Sequence, residues 1–372
     1  MTIEHRHLSD VERLHWIRLI RSENVGPITF FQLLRRFGSA EAALSALPDL
    51  ARRGGRRGAI KIASEQAARR EMEEIARIGA RLVAHGEADY PPALAHIDDA
   101  PPLVTMRGHP HLTMKPCLAM VGARNASAAG IRQARDIATA LGRAGITVVS
   151  GLARGIDTAA HNGALESGTV AVVAGGVDVI YPPENAQLYE RICETGLIVA
   201  EMPPGTEPQA RHFPRRNRLI SGLSRATLVV EAALKSGSLI TARFALEQGR
   251  EVMAIPGSPL DPRARGGNDL IRNGALLVES AEDIIQALAG ISPLAEPEPR
   301  AFHAPTPQPP SEAELDQVRS ILIEKLGPTP VDVDELIRQT GMMPAVVLMI
   351  LLELELAGRL ERQPGGRVSL IL

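Results

Sequence analysis

The chain has only two cysteines, Cys117 and Cys193, in 372 residues. Neither belongs to a CxxC pair or to a Cys/His cluster with metal-ligand spacing. The sequence therefore argues against a disulfide scaffold and against a structural zinc site, and we expect no bound metal.

Long apolar runs are also missing. No stretch of about 18 uncharged apolar residues occurs, and the first sixteen residues contain no apolar signal-peptide segment. We therefore expect a soluble, cytoplasmic protein without a membrane span.

Neither sign of charge is in excess, because 41 basic and 43 acidic side chains give a formal net charge of -2. Only four of the basic residues are lysines. Residues 1–80 carry a net charge of +4, residues 81–290 of -1 and residues 311–372 of -4. A nucleic-acid footprint must therefore be local, because no region beyond the first is basic.

The length suggests two or three domains, and prolines mark the clearest boundary. Residues 291–310 contain seven prolines, which favours an extended, solvated linker. Residues 1–85 show short helical patterns around a turn at Gly26 and Pro27, as in helix-hairpin-helix or SAM-like modules, whose turn amides can contact phosphate. A compact helical domain with an ordinary turn explains the same pattern.

Residues 86–290 alternate apolar strand patterns with helices. Continuous apolar runs separated by helices are typical of a parallel sheet that is covered on both faces. The sequence thus predicts an α/β domain with an extended Rossmann-like, doubly wound parallel sheet. Its strands are expected at residues 118–122, 147–150, 170–174, 197–201, 227–231 and 251–255.

Residues 311–372 show two helices, a turn, a third helix and a hairpin with Pro-Gly-Gly at its tip, which is a winged-helix pattern. The third helix, expected from Pro344 to Ala357, carries two glutamates and no basic residue. Phosphate repulsion and the lack of Arg, Lys, Asn or Gln argue against groove reading by this helix. Protein contact or simple core packing is the better interpretation.

Ligands of an open parallel sheet bind beyond the carboxyl ends of its strands, where this chain places several polar turns. After the first strand, Gly122 permits a tight turn, Arg124 and Asn125 follow, and Ser127 can cap the next helix. This predicts a phosphate cradle, although a structural cap with a surface arginine also fits. The GxGxxG fingerprint is missing, which argues against NAD or FAD, and we expect no cofactor.

A second Gly-rich turn carries Arg154 as a further ligand candidate. Asp157 and His161 after it could form an acid/base pair, but a helix-capping role for Asp157 is the more ordinary explanation. We therefore predict no catalytic residue. A small polar turn after the fifth strand adds three more candidates, Lys235, Ser236 and Gly237.

The densest positive cluster is residues 215–218. No acid lies between Glu207 and Glu231, so the local sequence offers no carboxylate partner. Such a cluster suits an anionic ligand, above all phosphate. A solvated turn that pairs with acids from elsewhere is the competing interpretation. The members of the cluster are Arg215, Arg216, Asn217 and Arg218.

These motifs resemble the DNA processing protein A (DprA, or Smf) family over nearly the whole chain. The similar stretches are VGARNAS, SGLARGIDTAAHNGAL, GGVDVIYPPEN, FPRRNRLISGLS, EAALKSGSLITARFALEQGREVMAIPG and GGNDLIRNGA. The resemblance implies a SAM-like domain, an extended Rossmann domain and a winged helix. It also implies protection of single-stranded DNA, a homodimer formed through the Rossmann domain, and loading of the recombinase RecA in natural transformation.

The resemblance also assigns residues. Gly122, Arg124 and Ser127 match the family's Gly-x-Arg phosphate site, and residues 216–218 match its basic loop. Because aromatics are only 3% of the chain, base-stacking platforms are expected to be scarce. Arginine contacts with phosphate must then do most of the binding, which predicts sequence-tolerant, salt-sensitive affinity.

Two other functions compete with this prediction. The chain also resembles phosphoribohydrolases of the lysine-decarboxylase-like group, but residues 235–241 replace their PGGxGTxxE motif and no acid follows before Glu247. A transcription factor that reads duplex DNA through the winged helix is opposed by the acidic third helix. We therefore expect a binding protein rather than an enzyme.

Overall fold

The structure, a computed structural model, describes residues 7–291, 312–363 and 365–371. The predicted linker at residues 291–310 lies outside the described residues, apart from Ile291. The described chain divides into two compact units, residues 7–8 with 69–291, and residues 9–68 with 312–371. Residues 9–68 and the C-terminal region therefore share the second unit.

The described residues contain strands that form two sheets. In chain order they are β1 (Arg81–Ala84), β2 (Leu103–Gly108), β3 (Cys117–Val121), β4 (Thr147–Ser150), β5 (Thr169–Val172), β6 (Leu197–Ala200), β7 (Ala226–Val229), β8 (Glu251–Ala254), β9 (Leu276–Leu277), β10 (Val331–Asp332), β11 (Leu360–Gln363) and β12 (Arg367–Leu370).

Helices connect and cover these strands. They are α1 (Asp10–Ile20), α2 (Pro27–Phe37), α3 (Ala40–Arg53), α4 (Glu65–Arg77), α5 (Pro92–Ala95), α6 (Ala128–Arg143), α7 (Ile156–Ala164), α8 (Ala186–Thr195), α9 (His212–Gly222), α10 (Gly237–Glu247), α11 (Arg265–Arg272), α12 (Ala281–Gly290), α13 (Glu312–Lys325), α14 (Val333–Thr340) and α15 (Pro344–Leu356).

The first unit is built on a sheet with the strand order β1-β2-β6-β5-β4-β3-β7-β8-β9. Strands β3 to β9 run parallel to one another, and β1 and β2 are antiparallel at one edge. Chain order reverses between β3 and β7, where a doubly wound sheet has its topological switch point. The predicted fold class is therefore confirmed, with the antiparallel pair as an addition.

Alternation along the buried strands explains why both faces of the sheet are covered. In β3, Ala119 and Val121 belong to one hydrophobic core, and Leu118 and Met120 belong to another on the opposite face. Side chains of a strand point alternately to the two faces, so a run that is apolar throughout needs cover on both.

The second unit contains α1 to α3 and the winged helix. In its N-terminal part, the rings of Trp16 and Phe30 pack edge to face with centroids 4.9 Å apart. In its C-terminal part, β10, β12 and β11 form a small antiparallel sheet beside α13 to α15. Helix α15 also packs against α3 of the N-terminal part.

Candidate nucleic-acid interface

A cavity of about 200 Å³ opens beyond the carboxyl ends of β4 and β5. It combines the turns after β3, β4 and β5 with the beginning of α9. Its lining is mainly apolar, with three arginines and one carboxylate among it. The side chains that define its character are Arg124, Arg154, Tyr181, Glu184, Phe213 and Arg216.

Two aromatic rings form one wall of this cavity. The ring of Phe213 lies 5.6 Å from the ring of Tyr181, and the Arg124 guanidinium carbon lies 5.6 Å from the Phe213 centroid. Tyr181 is 46% exposed, so an incoming planar group can reach its ring. The sequence argument from scarce aromatics did not foresee that these two rings meet, although Tyr181-Pro182-Pro183 and Phe213-Pro214 are both visible in the sequence.

Exposed arginines stand at the mouth of the cavity. Arg124 and Asn125 follow β3 and are exposed. Arg154 lies 3.6 Å from Glu184, and the two side chains are 60% and 59% exposed. Such an exposed pair contributes little to stability, so a phosphate can displace Glu184 from Arg154 at small cost.

Arg216 lies at the floor of the cavity, where its charged guanidinium also makes hydrogen bonds to the backbone. It is only 7% exposed, and its Nη1 donates to the carbonyl oxygens of Gly151, at 2.5 Å, and of Val172. Burial, together with the nearby Arg124, lowers its pKa to about 10. The guanidinium therefore stays charged at neutral pH, with the Asp157 carboxylate nearby as an opposite charge that favours its charged form.

Asp157 stabilises the loop after β4, whose residues Gly151 and Ala153 line the cavity. Its carboxylate accepts hydrogen bonds from the backbone N–H groups of Gly151, at 3.1 Å, and Ala153, at 3.3 Å. The expected helix cap is therefore wrong in detail, because Asp157 holds the loop before α7 while Gly155 is the N-cap. Burial raises the pKa of Asp157 to about 6.

His161 makes a separate contact, since its Nδ1 lies 2.9 Å from the hydroxyl oxygen of Thr169. Burial, with Arg216 nearby, lowers the pKa of His161 to about 3. The ring is therefore neutral at physiological pH. His161 is not among the residues that line the cavity.

The cluster at residues 215–218 lies in helix α9 and not in a loop. Arg218 is 4% exposed and its Nη2 donates to Glu201 at 2.5 Å, while its Nε lies 3.4 Å from Asp99. Arg215 also contacts Glu201, at 3.2 Å. Carboxylates outside the cluster thus neutralise Arg215 and Arg218, so the cluster does not form a continuous positive surface. Arg216 is the arginine of the cluster that lines the cavity.

In the turn from Gly122 to Ser127, where the sequence predicted a bound phosphate, the carboxylate of Glu231 accepts the hydrogen bonds. Glu231 accepts from the Ser127 N–H at 2.9 Å and from its hydroxyl at 2.5 Å. Ser127 also caps α6 by accepting from the Gly130 N–H at 2.9 Å. A Cβ on Gly122 would lie 2.5 Å from Ile156, so this glycine is needed for close packing. The structure thus favours the structural-cap alternative at the switch point.

The polar turn before α10 lies outside the cavity lining. Ser236 caps α10 by accepting from the Ser238 N–H at 3.3 Å. Asn217 donates to the Gly237 carbonyl at 3.3 Å and so ties α9 to this turn. Lys235 is exposed. Of the predicted site residues, Arg124, Arg154 and Arg216 line the cavity. Ser127, Arg215, Asn217, Arg218 and Ser236 make contacts within the surrounding structure, and Asn125 and Lys235 are exposed outside the cavity lining.

None of the helices in the described part of the chain is long and apolar enough to cross a membrane. The same part of the chain contains no group of three or more His, Cys, Asp or Glu residues arranged to hold a metal ion.

Comparison with known proteins covers all three regions of the chain. A model of DNA recombination-mediator protein A matches residues 81–289, a DprA-like N-terminal HHH domain matches residues 10–73, and a DprA winged helix domain matches residues 306–366. The chain is 41% identical to Protein Smf of Escherichia coli over 285 residues, covering 76% of this chain and 75% of that protein. It is 32% identical to Protein Smf of Synechocystis over 396 residues, covering 97% and 99%.

Solved structures give the same result. DNA processing protein A from Streptococcus pneumoniae superposes with a TM-score of 0.62 at 33% identity, covering 76% of this chain and 98% of that one. DNA processing protein A from Helicobacter pylori, whose structure is described in terms of its single-stranded DNA binding mode, gives a TM-score of 0.52 at 27% identity and covers 56% and 95%. With a family model over more than half of its length and relatives over nearly all of it, the chain belongs to the DNA recombination-mediator protein A (DprA/Smf) family.

Proposed function

We propose that this protein binds single-stranded DNA and that the cavity beside α9 takes an unpaired base. The observation that carries the proposal is the coincidence, in one cavity, of an exposed aromatic wall with three arginines. Base stacking on aromatic rings combined with positive charge along the backbone is the usual way to bind single strands without sequence preference. The named binding mode of the Helicobacter relative supports the same ligand.

We assign different tasks to the residues. Phe213 and Tyr181 supply ring faces for a base, and a base can be reached there only if it is unpaired. Arg124 and Arg154 lie at the mouth, where the phosphates on either side of an inserted base would pass. Arg216 adds positive charge from the floor but is held by two carbonyl groups, so we assign it a positioning role.

Replacement of Arg124 by Ala is the direct test. We expect single-strand affinity to fall, and the slope of log K against log salt to become shallower by about 0.7, the change for one lost phosphate contact on a single strand. The measurement is fluorescence anisotropy with a labelled thymidine oligonucleotide between 50 and 200 mM salt. Over this range, the affinity of a protein that makes about 6–10 phosphate contacts falls strongly as salt is added.

Arg143→Ala is the matched control for that experiment. Arg143 is an exposed arginine at the carboxyl end of α6. It therefore lies near the amino ends of the strands, whereas Arg124 follows the carboxyl end of β3. An Arg124→Ala protein with the affinity and salt slope of the Arg143→Ala protein would contradict the site.

We also propose that two copies pair through the edge of the Rossmann sheet. Leu276 and Leu277 form the edge strand β9 and are 44% and 46% exposed, and an exposed apolar edge strand is a pairing surface. Leu277→Asp is expected to convert a dimer to a monomer in sedimentation equilibrium. Val11→Asp is the control, since Val11 is 63% exposed in the other unit. A monomeric unsubstituted protein at micromolar concentration would contradict the dimer.

RecA loading and protection of incoming DNA complete the proposed function and would place the protein in the cytoplasm. They rest on membership of the family and on a binding site suited to single strands. We propose a binding role without catalysis, because residues 235–241 lack the acid of the phosphoribohydrolase motif. Release of free base from nucleoside monophosphates would overturn that part, and failure to speed RecA filament growth on coated DNA would overturn the loading role.

A further inference from the structure

The switch point of the sheet lies between β3 and β7, which are parallel neighbours. In doubly wound folds, the turn after the first of these strands leads into a helix whose N-terminal amides bind the phosphate of a nucleotide. The corresponding elements here are the turn from Gly122 to Ser127 and the beginning of α6. The phosphate site of this type of fold is therefore present in outline.

A side chain of the protein itself occupies this site. Glu231 lies two residues after β7, and its carboxylate accepts from the Ser127 N–H at 2.9 Å and from the Ser127 hydroxyl at 2.5 Å. The carboxylate also packs on α6, because a Cβ on Gly130 would lie 2.6 Å from Glu231 Oε1. Carboxylates and phosphates accept from the same donors, so Glu231 takes the position that a nucleotide phosphate would use.

The groups around the Glu231 carboxylate suit an anion. Residues 128–129 begin α6 and are exposed, and the first N–H groups of a helix lack partners within the helix. The hydrogen bond to Asp261 and its charge raise the pKa of Arg263, and the charge of Glu231 adds to this effect, so Arg263 lies near the carboxylate. Without Glu231, the turn would present backbone amides, the Ser127 hydroxyl and a nearby guanidinium.

The other end of the same turn serves the cavity. The Arg124 guanidinium carbon lies 5.6 Å from the centroid of the Phe213 ring in the cavity wall. Ser127, three residues later, is not among the residues that line the cavity. The turn therefore has one end that is open to a ligand, at Arg124, and one end that the protein closes with its own carboxylate, at Ser127.

Free nucleotides and DNA strands differ in the charge of their phosphates. The phosphomonoester of a nucleotide carries a charge of about -1.5 to -2 at pH 7, whereas each phosphodiester of a strand carries one negative charge. A fixed carboxylate repels the more highly charged group more strongly. Glu231 thus opposes most strongly the ligand that an open helix N-terminus at the switch point would favour.

We propose that Glu231 is a specificity residue: its carboxylate substitutes for phosphate at the switch point and keeps nucleoside monophosphates out of a fold that would otherwise bind them. The protein then stays available for DNA in the presence of free nucleotides. The proposal concerns the Ser127 end of the turn, and it does not depend on a base in the cavity beside α9.

Glu231→Ala tests the exclusion in the full-length protein, with AMP as the probe. Loss of the carboxylate frees the Ser127 N–H, so we expect this amide to exchange with solvent about tenfold faster or more, and AMP to slow the exchange again. In the unsubstituted protein, AMP should leave the exchange of residues 122–131 unchanged. Hydrogen exchange measured by mass spectrometry on this segment reports on the switch point, whatever binds in the cavity.

Isothermal titration calorimetry measures the gain in affinity. We expect AMP to bind Glu231→Ala about tenfold more tightly or more than it binds the unsubstituted protein, the effect of a hydrogen bond to a charged group. The double variant with Ser127→Ala should lose most of this gain. Glu190→Ala is the matched control and should show no gain, because it removes an exposed carboxylate of α8, 3.9 Å from Arg107, in the same unit.

Glu231→Gln keeps the test decisive if the alanine variant does not fold. Glutamine has the same shape and can accept the same hydrogen bonds but lacks the charge, so we expect AMP affinity to rise about threefold, as for removal of one exposed charge. A folded Glu231→Ala protein without a gain, or an unfolded one together with no gain in Glu231→Gln, would show that Glu231 only fixes the turn. Protection of residues 122–131 by AMP in the unsubstituted protein would overturn the proposal. Arg124→Ala bears on the cavity alone, so the two proposals fail separately.

Discussion

Replacement of Glu201 by Gln is expected to lower the free energy of unfolding by about 3 kcal/mol, the lower end of the range for breaking a buried ion pair. Glu201 is 6% exposed and accepts from the buried Arg218 and from Arg215. Glutamine keeps the shape but leaves the Arg218 charge in a low-dielectric interior. Asp99, 3.4 Å from Arg218, remains as a weaker partner and limits the loss. Urea unfolding followed by far-ultraviolet circular dichroism measures the change.

Two further variants make this experiment specific. Glu184→Gln removes a carboxylate from the exposed pair with Arg154 and is expected to cost less than about 0.5 kcal/mol. The double variant Glu201→Leu with Arg218→Met should recover much of the stability, since an apolar pair can replace a buried ion pair. Equal stability of Glu201→Gln and Glu184→Gln would show that the arginine cluster is solvated, contrary to the structure.

Replacement of Phe213 by Ala is expected to weaken single-strand binding by about 1–3 kcal/mol, the contribution of one stacked base. This corresponds to about 5- to 150-fold in the dissociation constant. Phe213 contacts both Tyr181 and Arg124, so its loss removes the ring face and also the support of an arginine. Affinity is measured by anisotropy with the same thymidine oligonucleotide.

The salt dependence distinguishes this substitution from Arg124→Ala. A lost stacking contact releases no counterion, so the salt slope of Phe213→Ala should equal that of the unsubstituted protein. Phe213→Trp should retain most of the affinity. Phe37→Ala is the control, because Phe37 also packs under an arginine, with the Arg36 guanidinium carbon 5.4 Å from its ring, but lies in the other unit. Equal affinity of Phe213→Ala and Phe37→Ala would exclude stacking in the cavity.

The sequence was most informative where the signal is local. The strands of the parallel sheet are buried on both faces, so each appears as a continuous apolar run, and their predicted positions agree with β3 to β8 within about two residues. The third helix of the winged helix and its acidic character could also be predicted directly from the sequence. The absence of basic residues argued against groove reading by α15, and the structure adds a contact with α3.

The sequence was least informative where partners come from distant segments. The arginine cluster at residues 215–218, for which the sequence suggested a basic loop or a solvated turn, is part of α9, because Pro214 falls in the first turn of the helix, where proline is tolerated. The carboxylates that neutralise Arg218 are Glu201, 17 residues before it, and Asp99, 119 residues before it. Glu231 likewise reaches the Ser127 turn across about a hundred residues. Local composition therefore overstated the positive surface.

The sequence by itself determined the doubly wound sheet, the winged helix and the family, because hydrophobic periodicity and turn motifs depend on residues that are close together in sequence. Only the tertiary structure decided which arginines line the cavity, which are buried in ion pairs, and that two of the few aromatic rings meet in one cavity. It also decided that α15 packs against the N-terminal helices. The physical reason is that burial, charge pairing and ring contacts depend on distances in space, and the folded chain brings together residues that are far apart in sequence.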